Sequence, residues 1–304
     1  MPKTVLITGA SSGFGRDTAE TLFRAGHTVY ASMRGAQGKN REAAEALQKL
    51  GIKTVELDVS DDASVKAGVK NVLAEAGRID VLINNAGIGS AGVTEAFSAE
   101  QAEVVFDTNV IGLLRVTRAV LPSMRQKRDG LIINIGSILG RVTFPFLGIY
   151  GASKFAVEAL IDSLRYEVSQ LGVEVVEVQP SAYPTNFFTV IKTPIDTEVT
   201  KSYGEVGQIP DAMFKSFMSR FKGEHAPNPH DSRRPWPGSW DSPRAAALPA
   251  PSSARRLVPT RPTRPSRLCR RRWSRPWASV ISKKSPDESF QVSGVPKRLF
   301  ENRV

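Results

Sequence analysis

The 304-residue chain is long enough to bury a large apolar core, either as one α/β domain or as two smaller domains. Its net charge of +11 is uneven, since residues 1–225 hold 24 basic and 25 acidic side chains whereas residues 226–304 hold 17 and 5. The single cysteine, Cys269, excludes a disulfide framework and a cysteine-based metal site within one chain, and no metal is expected. The sequence has no apolar run of about 18 residues and no signal-peptide pattern, so we expect a cytoplasmic protein without a membrane partner.

Short β-branched runs alternate with longer segments of helical period along residues 1–180, a pattern typical of a parallel sheet covered by helices on both faces. The predicted strands span residues 4–8, 28–33, 54–58, 81–84, 131–135 and 173–178, and the predicted helices span about residues 13–25, 41–50, 63–76, 99–126 and 149–171. This order predicts a Rossmann-type, doubly wound α/β sheet within a single domain of residues 1–225. Ligands bind such sheets in the crevice at the carboxyl ends of the strands.

The chain becomes irregular after Pro180, where its apolar residues are mainly Phe and Met. The helical spacing of residues 211–222 predicts that residues 186–222 form a lid over a bound ligand. The same residues fit an ordinary covering of the core equally well, and the sequence leaves both interpretations open.

Residues 226–304 lose both periods and become a mixture of Pro, Arg, Ser and Trp, a composition typical of a disordered segment. We therefore predict a disordered basic tail. Its abrupt onset favours a GC-rich gene read out of frame over a genuine segment that binds nucleic acid through arginines, Trp273 and Trp277. Nucleic acid is accordingly not expected as a partner.

The segment Thr8–Gly15 joins the first predicted strand to the first predicted helix and holds glycines at 9, 13 and 15. Glycines in these places let the backbone turn tightly and approach a pyrophosphate, which the N–H groups at the helix start bind. This placement predicts a dinucleotide site. The segment also matches the nucleophile elbow of hydrolases, with Ser11 as the nucleophile, but an elbow follows several strands and needs a later acid and histidine. A second glycine-rich match at residues 87–92 is not followed directly by a helix, and we interpret it as a loop.

Tyr150 and Lys154 lie four residues apart in a predicted helix, so both side chains project from one face toward the same point. A free tyrosine has a pKa of about 10, and a nearby ammonium favours the phenolate. The pair therefore predicts a tyrosine with a lowered pKa that exchanges a proton with a substrate oxygen. Alone, the pair fits an ordinary surface helix at least as well, and the surrounding motifs decide between the two interpretations.

The order and spacing of these motifs resemble those of the short-chain dehydrogenase/reductase family. The resemblance rests on the glycine segment, the run Asn84–Gly87, Ser137, and the Tyr150–Lys154 pair, and it covers residues 3 to about 190. Residues 29–34 resemble the 17-beta-hydroxysteroid and retinol dehydrogenase branch. The resemblance implies hydride transfer between a nicotinamide cofactor and a carbonyl or alcohol.

The resemblance also implies the roles of individual residues. Tyr150 acts as the general acid and base, and Lys154 supports the phenolate and holds the nicotinamide ribose. Ser137 orients the substrate oxygen, and Asn109 holds a water molecule in a proton relay. The cofactor-binding set that follows is Gly9, Ser11, Ser12, Gly13, Phe14, Gly15, Arg34, Asp58, Val59, Asn85, Ala86, Gly87, Tyr150, Lys154, Pro180 and Thr185, with Asp58 at the adenine and Thr185 at the carboxamide.

The lack of an acidic residue near the end of the second predicted strand indicates which nicotinamide cofactor binds. NAD sites of this type place an acidic residue near the end of the second strand, where it binds both ribose hydroxyls. Residues 21–41 contain no acidic residue but include Arg34, Lys39 and Arg41, which would attract a 2′-phosphate. We therefore predict a preference for NADP(H), with Arg34 as the phosphate ligand and NAD(H) as the alternative cofactor.

The Phe- and Met-rich segment after Pro180 favours an apolar alcohol, ketone or aldehyde as the small-molecule substrate. The chain departs from the family in two places: Ser181 replaces a glycine, and residues 226–304 replace the usual seventh strand and helix. A missing strand leaves a sheet edge uncovered, which weakens the case for a homo-oligomer. A catalytically impaired cofactor-binding protein and a nucleic-acid binder acting through the basic tail are the alternative functions.

Overall fold

The computed structural model describes residues 1–219 and 221, and its centre is one sheet of six parallel strands. The strands are β1 (Thr4–Ile7), β2 (Thr28–Met33), β3 (Lys53–Glu56), β4 (Val81–Asn84), β5 (Gly130–Ile135) and β6 (Val173–Val178). Their spatial order is β3-β2-β1-β4-β5-β6, so the direction of winding reverses between β1 and β4. This confirms the predicted Rossmann-type sheet and places its ligand crevice at the carboxyl ends of β1 and β4.

Within residues 1–219, the α-helices are α1 (Gly13–Arg24), α2 (Arg41–Lys49), α3 (Asp62–Ala76), α4 (Ala99–Phe106), α5 (Gly112–Lys127), α6 (Gly148–Val168), α7 (Thr197–Ser202) and α8 (Glu205–Ser219). Local sequence sets several of their ends. The Asp61 carboxylate accepts hydrogen bonds from two backbone N–H groups at the start of α3, and Ser98 and Gln101 form a capping box on α4. α3 ends at Gly77, whose φ of +70° suits a glycine.

Successive side chains of each strand point to opposite faces of the sheet, and apolar residues are buried on both faces. On one face, Leu6, Leu82 and Ile132 pack with apolar residues of α3, α5 and α6. On the other face, Val5 and Ile83 pack with residues of α1 and α2. The helices therefore cover the sheet on both sides, as the sequence predicts.

Several element boundaries differ from the prediction. β3 spans Lys53–Glu56 rather than residues 54–58, because its pairing with β2 ends where Glu56 lies opposite Met33. The single helix predicted for residues 99–126 is divided into α4 and α5 by a π-helical turn at Asp107–Ile111. Such turns occur frequently at functional sites, and this one contains Asn109.

The segment after β6 consists of a 3₁₀ turn at Asn186–Val190 followed by α7 and α8. α8 begins well before the predicted residue 211 and includes Pro210. None of the described residues in these three elements is buried, and their function as a lid stays a prediction. The predicted tail, residues 226–304, lies outside the described residues. No helix in the described part of the chain is long and apolar enough to cross a bilayer.

Candidate active site

The glycine segment, residues 9–15, is shaped by close contacts that leave no room for a Cβ atom at Gly9 or Gly15. Gly9 has a φ of +65°, and a Cβ atom there would lie 2.8 Å from the Cα of Ala86. A Cβ atom at Gly15 would overlap the side-chain amide of Asn85 and the carbonyl oxygen of Gly9. The backbone of β1 and α1 therefore approaches the loop after β4 closely, as a dinucleotide-binding fold requires.

Hydrogen bonds of Asn85 and Thr8 stabilise this close approach. Asn85 Nδ2 donates hydrogen bonds to the carbonyl oxygens of Thr8 at 2.9 Å and Gly9 at 3.1 Å. The Thr8 hydroxyl oxygen accepts hydrogen bonds from the backbone N–H groups of Asn85 and Ala86, both at 3.0 Å. The Asn85 side chain thus holds the glycine segment, and its predicted contact with the cofactor stays a prediction.

The start of α1 fits a pyrophosphate group. Ser12 precedes the helix without a side-chain cap, and the first turn of Gly13–Arg24 contains no acidic residue. The N–H groups of this turn therefore lie at the positive end of the helix dipole without a competing carboxylate. The Thr185 Cβ lies 3.6 Å from the position of a Cβ atom on Gly13, so the loop after β6 reaches this end of the site. Ser11 is half-buried in the same turn.

Asp58 and Arg34 lie at the predicted adenosine end of the crevice. The Asp58 carboxylate accepts hydrogen bonds from the Ser60 backbone N–H at 2.9 Å and the Ser60 hydroxyl at 2.6 Å. Burial acts to raise the pKa of Asp58, but these hydrogen bonds and the charges of Arg34 and Lys39 lower it overall. Arg34 Nη1 lies 4.0 Å from Asp58 Oδ2, and the Arg34 side chain is 54% exposed. Most of the guanidinium therefore remains open to a further anion.

Glu56 is a neighbour of this site that the sequence analysis missed. Its carboxylate accepts hydrogen bonds from the backbone N–H groups of Gly35 at 2.7 Å and Ala36 at 2.6 Å, directly after Arg34. Glu56 could be identified only from its alignment with the end of β2, and that alignment is known only once the strand order is known. Val59, predicted to line the cleft, is largely buried, and a Cβ atom on Gly112 would lie 2.9 Å from its Cγ2.

Tyr150 and Lys154 lie one turn apart on α6, as predicted. Lys154 Nζ lies 5.8 Å from the centre of the Tyr150 ring and donates a hydrogen bond to the carbonyl oxygen of Ile135 at 2.9 Å. Burial lowers the pKa of Lys154 to about 8, against the opposite effect of the Glu177 charge. Lys154 is therefore still mainly an ammonium at neutral pH, held close to the tyrosine.

The pKa of Tyr150 moves in the direction opposite to the expectation. Burial raises it to about 12, and a hydrogen bond with Ser137 opposes this effect in part. The predicted lowering is wrong for the protein without a cofactor, because desolvation of the phenolate is the dominant effect on this pKa, while the Lys154 ammonium donates its hydrogen bond to the Ile135 carbonyl. Tyr150 is therefore a neutral phenol at physiological pH.

Ser137 completes the group at the carboxyl end of β5. It is buried, its hydroxyl oxygen accepts a hydrogen bond from the Leu139 backbone N–H at 3.1 Å, and its side chain hydrogen-bonds with Tyr150. Pro180 ties the loop after β6 to this region, because its carbonyl oxygen accepts a hydrogen bond from the backbone N–H of Ile138 at 3.1 Å. The structure thus brings Ser137, Tyr150 and Lys154 together.

Asn109 lies behind these residues and is held by the protein itself. Its Oδ1 accepts a hydrogen bond from the Ile88 backbone N–H at 2.8 Å, and its Nδ2 donates to the Ile88 carbonyl oxygen at 2.9 Å and to Ser153 Oγ at 3.0 Å. Ser153, which the sequence analysis missed, donates in turn to the Tyr150 carbonyl oxygen at 2.7 Å. Asn109 therefore links the Gly87 loop to α6, and its predicted water relay stays a prediction.

Aromatic rings cover the mouth of the site. The Phe187 ring lies 5.5 Å from the Tyr150 ring, measured between centroids, and 5.5 Å from the Phe188 ring. Phe188 in turn contacts Phe217 at 5.6 Å and Phe221 at 5.1 Å. We call the five rings Tyr150, Phe187, Phe188, Phe217 and Phe221 the aromatic cluster. The Phe14 ring lies farther along the glycine segment, 5.6 Å from the ring of Tyr183.

The sequence of this chain matches one family over most of its described length. The short chain dehydrogenase family model matches residues 3–195. The chain belongs to this family. The geometry agrees, because the residues on which the resemblance rests lie together around one crevice.

Two curated relatives place the chain within the family. It is 42% identical over 186 residues to a 3-ketodihydrosphingosine reductase of Bacteroides thetaiotaomicron, covering 61% of this chain and 66% of that protein. It is 38% identical over 191 residues to retinol dehydrogenase 8 of Bos taurus, covering 61% of each. The chain therefore spans less than two thirds of the length of these relatives, and the second of them supports the predicted resemblance to retinol dehydrogenase-like members.

Two solved structures share the fold. A short chain dehydrogenase/reductase from Burkholderia phymatum in complex with NAD has a TM-score of 0.62 and 27% identity, covering 74% of this chain and 81% of that one. A variant of actinorhodin polyketide ketoreductase with NADPH has a TM-score of 0.62 and 28% identity, covering 76% and 87%. The similarity extends over most of each protein.

Proposed function

We propose that this chain is an NADP(H)-preferring oxidoreductase that transfers a hydride between the nicotinamide and an apolar carbonyl or alcohol. The observation that carries the proposal is the meeting of Tyr150, Lys154 and Ser137 beside a glycine segment in which Gly9 and Gly15 have no room for a Cβ atom. Family membership and the neighbours with NAD and NADPH support a nicotinamide cofactor. When bound, that cofactor supplies the hydride, and the chain supplies the proton.

In the reductive direction, Tyr150 donates the proton to the substrate oxygen. Its raised pKa keeps the phenol protonated at neutral pH, and the Ser137 hydroxyl beside it holds the same oxygen. The buried Lys154 ammonium stabilises the phenolate that remains. In the oxidative direction the phenol must first lose its proton, so we expect oxidation to require a higher pH than reduction.

This chemistry is tested with NADPH and a panel of apolar ketones and aldehydes, followed by the absorbance of NADPH. Tyr150→Phe removes the proton donor and is expected to lower kcat by about 10²–10⁴-fold. Tyr166→Phe is the matched control, because Tyr166 lies on the same helix and is 79% exposed. Equal turnover in the Tyr150→Phe variant and the parent would contradict the proposed role.

The preference for NADP(H) is supported by the charge at the end of β2. Arg34 is largely exposed and meets Asp58 at 4.0 Å, so its planar N–H groups are available to a 2′-phosphate. Lys39 adds a second positive charge, and its Cγ lies 3.2 Å from the position of a Cβ atom on Gly35. Glu56 directs both carboxylate oxygens to backbone N–H groups, which supports a structural role for it rather than that of the ribose acceptor of an NAD site.

The preference is tested by titrating the chain with NADPH and NADH. Arg34→Ala is expected to raise the Kd for NADPH by about 10–100-fold, because a charge-assisted hydrogen bond contributes about 1.5–3 kcal/mol, and to leave the Kd for NADH unchanged. Arg24→Ala is the control, since Arg24 pairs with Glu20 along the exposed surface of α1. An equal loss for both cofactors would contradict a phosphate ligand at Arg34.

An apolar substrate is supported by the aromatic cluster at the mouth of the site. Phe187 lies against the catalytic ring, and the bridge between Ser90 and Lys192 holds this segment beside the loop after β4. The relatives named for 3-ketodihydrosphingosine and retinol support the same class of substrate. A cytoplasmic location, the absence of a nucleic-acid partner and a weak tendency to oligomerise stay predictions from the sequence.

A further inference from the structure

A pair of acidic residues, one buried and one half-buried, lies beside the catalytic lysine. Glu158 follows Lys154 by one turn of α6 and is 8% exposed, and Glu177 lies on β6 with its carboxylate against the backbone of Gly136. The two carboxyl groups hydrogen-bond with each other. Gln179 Nε2 donates to both of them, at 3.1 Å to Glu177. The pair thus occupies the space between β6, α6 and the strand end that carries Ser137.

One proton is needed to hold this pair together. A carboxyl group donates a hydrogen bond to another carboxylate only when it is protonated, and the Gln179 amide cannot replace that proton. Burial, followed by the hydrogen bond and the charge of Glu158, raises the pKa of Glu177 to about 8. The cations that oppose this effect are Arg141, which pairs with Glu158, and Lys154. At neutral pH the pair therefore carries one proton and one negative charge.

The charge of the pair acts on Lys154. Burial lowers the pKa of Lys154, and the Glu177 charge acts in the opposite direction. Glu177 Oε1 is buried and has no hydrogen-bond partner among the described residues, so a charge on this carboxylate is compensated by the nearby cations. Lys154 Nζ donates to the Ile135 carbonyl oxygen at 2.9 Å and the Glu177 carboxylate lies against the next residue, Gly136, so the two groups are neighbours and their protonation states are coupled.

We propose that Glu177 is a positioning residue which, on releasing its shared proton to solvent, keeps Lys154 an ammonium and extends catalysis to higher pH. The proposal rests on the proposed oxidoreductase function, because Lys154 belongs to that machinery. Loss of the shared proton adds a negative charge beside Lys154 in the same range in which Lys154 would lose its own proton. Glu177 therefore opposes deprotonation of the lysine when the medium becomes alkaline.

The shared proton is tested without turnover, by infrared spectroscopy of the full chain during a pH titration. Ordinary carboxyl groups are ionised at about pH 7, so a protonated-carboxyl C=O band at that pH reports the pair. We expect the band in the parent, its loss as the pH passes about 8, and its absence in Glu177→Gln. Glu174→Gln, an exposed position on the same strand, is expected to retain it. A parent without the band at about pH 7 would overturn the proposal.

The catalytic consequence is tested by the pH profile of kcat for ketone reduction. Glutamine carries no charge at any pH, so Glu177→Gln is expected to match the parent below about pH 7 and to lose activity at a pH lower by about one unit. Glu174→Gln is expected to follow the parent throughout. A Glu177→Gln profile with an unchanged alkaline limb, or one lowered equally at every pH, would overturn the proposal and indicate a purely structural residue.

The two experiments separate this proposal from the function on which it rests. A parent chain with no turnover on any ketone would overturn the proposed function and, with it, the catalytic role of Glu177. The infrared band would still decide whether Glu158 and Glu177 share a proton. Thermal unfolding of Glu177→Gln, compared with Glu174→Gln, shows whether a lost activity reflects a lost fold.

Discussion

The cofactor side and the substrate side of the site differ in what holds them. On the cofactor side, residues 8–15 are fixed by backbone contacts with the loop after β4 and by the hydrogen bonds of Asn85. On the substrate side, residues 186–219 contribute no buried residue among those described, and ring contacts such as Phe187 with Tyr150 connect them to the site. The cofactor side is thus preorganised by the sheet, whereas the substrate side can change its side chains without disturbing the core.

The largest effect is expected from Gly9→Ala, which attacks the cofactor side. The new Cβ atom would lie 2.8 Å from the backbone of Ala86, so the glycine segment must move away from the loop after β4. We expect NADPH affinity to fall more than about 100-fold, since small displacements of a binding constellation have effects of this size. The measurement is a titration of NADPH followed by its fluorescence.

Gly26→Ala is the matched control for this variant. Gly26 also has a positive φ, +89°, but a Cβ atom there meets nothing within 4 Å. Both variants carry the cost of an alanine at positive φ. Only Gly9→Ala also places a Cβ atom against the loop after β4. Equal losses of NADPH affinity in the two variants would show that backbone strain, rather than the close approach, explains the effect.

A smaller effect is expected from Phe187→Ala, which attacks the substrate side. Removing a ring that contacts Tyr150 takes away apolar surface worth about 1.5–3 kcal/mol when fully buried, so kcat/KM for a bulky apolar ketone should fall about tenfold or more. NADPH affinity should stay at the parent value, because no side chain of the glycine segment is altered. Phe214→Ala, on the exposed surface of α8, serves as the control. A Phe187→Ala variant that loses NADPH affinity instead would break the division into two sides.

A further effect is expected in the pH dependence of stability. The folded-state pKa of Glu177 is raised from 4.5 to about 8, so between these values the folded chain binds more protons than the unfolded chain. Its contribution to the free energy of unfolding is therefore full below about pH 4.5 and is lost as the pH rises toward 8. Urea unfolding at several pH values should show a flatter dependence in Glu177→Gln than in the parent. Parallel curves would contradict the raised pKa.

Local pattern predicts contacts between residues close in sequence well and contacts between distant residues less well. The glycine segment and the Tyr150–Lys154 spacing depend on residues close in sequence, and the structure places them as expected. Glu56 and Ser153 were missed because their partners, the Gly35 turn and Asn109, are neighbours only after the sheet has formed. The same limit explains the boundary of β3, which ends where its pairing with β2 ends.

The pKa of Tyr150 shows a second limit of the sequence. A lysine four residues away predicts a lowered pKa, because the spacing reveals the charge but not the burial. In the structure, burial is the dominant effect and raises the pKa to about 12. The direction of the pKa shift of Tyr150 therefore depends on burial, which the spacing of residues in the sequence does not reveal.

The central claim is that Tyr150 protonates the substrate oxygen while the cofactor supplies the hydride. Transfer of deuterium from the cofactor to the product tests this claim most directly. NADPH labelled with deuterium at the transferring position of the nicotinamide is mixed with an apolar ketone that the parent chain accepts. We expect deuterium on the carbinol carbon of the product with the parent and with Tyr166→Phe. With Tyr150→Phe, we expect product to form about 10²–10⁴-fold more slowly. Product without deuterium, or an unchanged rate in Tyr150→Phe, would contradict it.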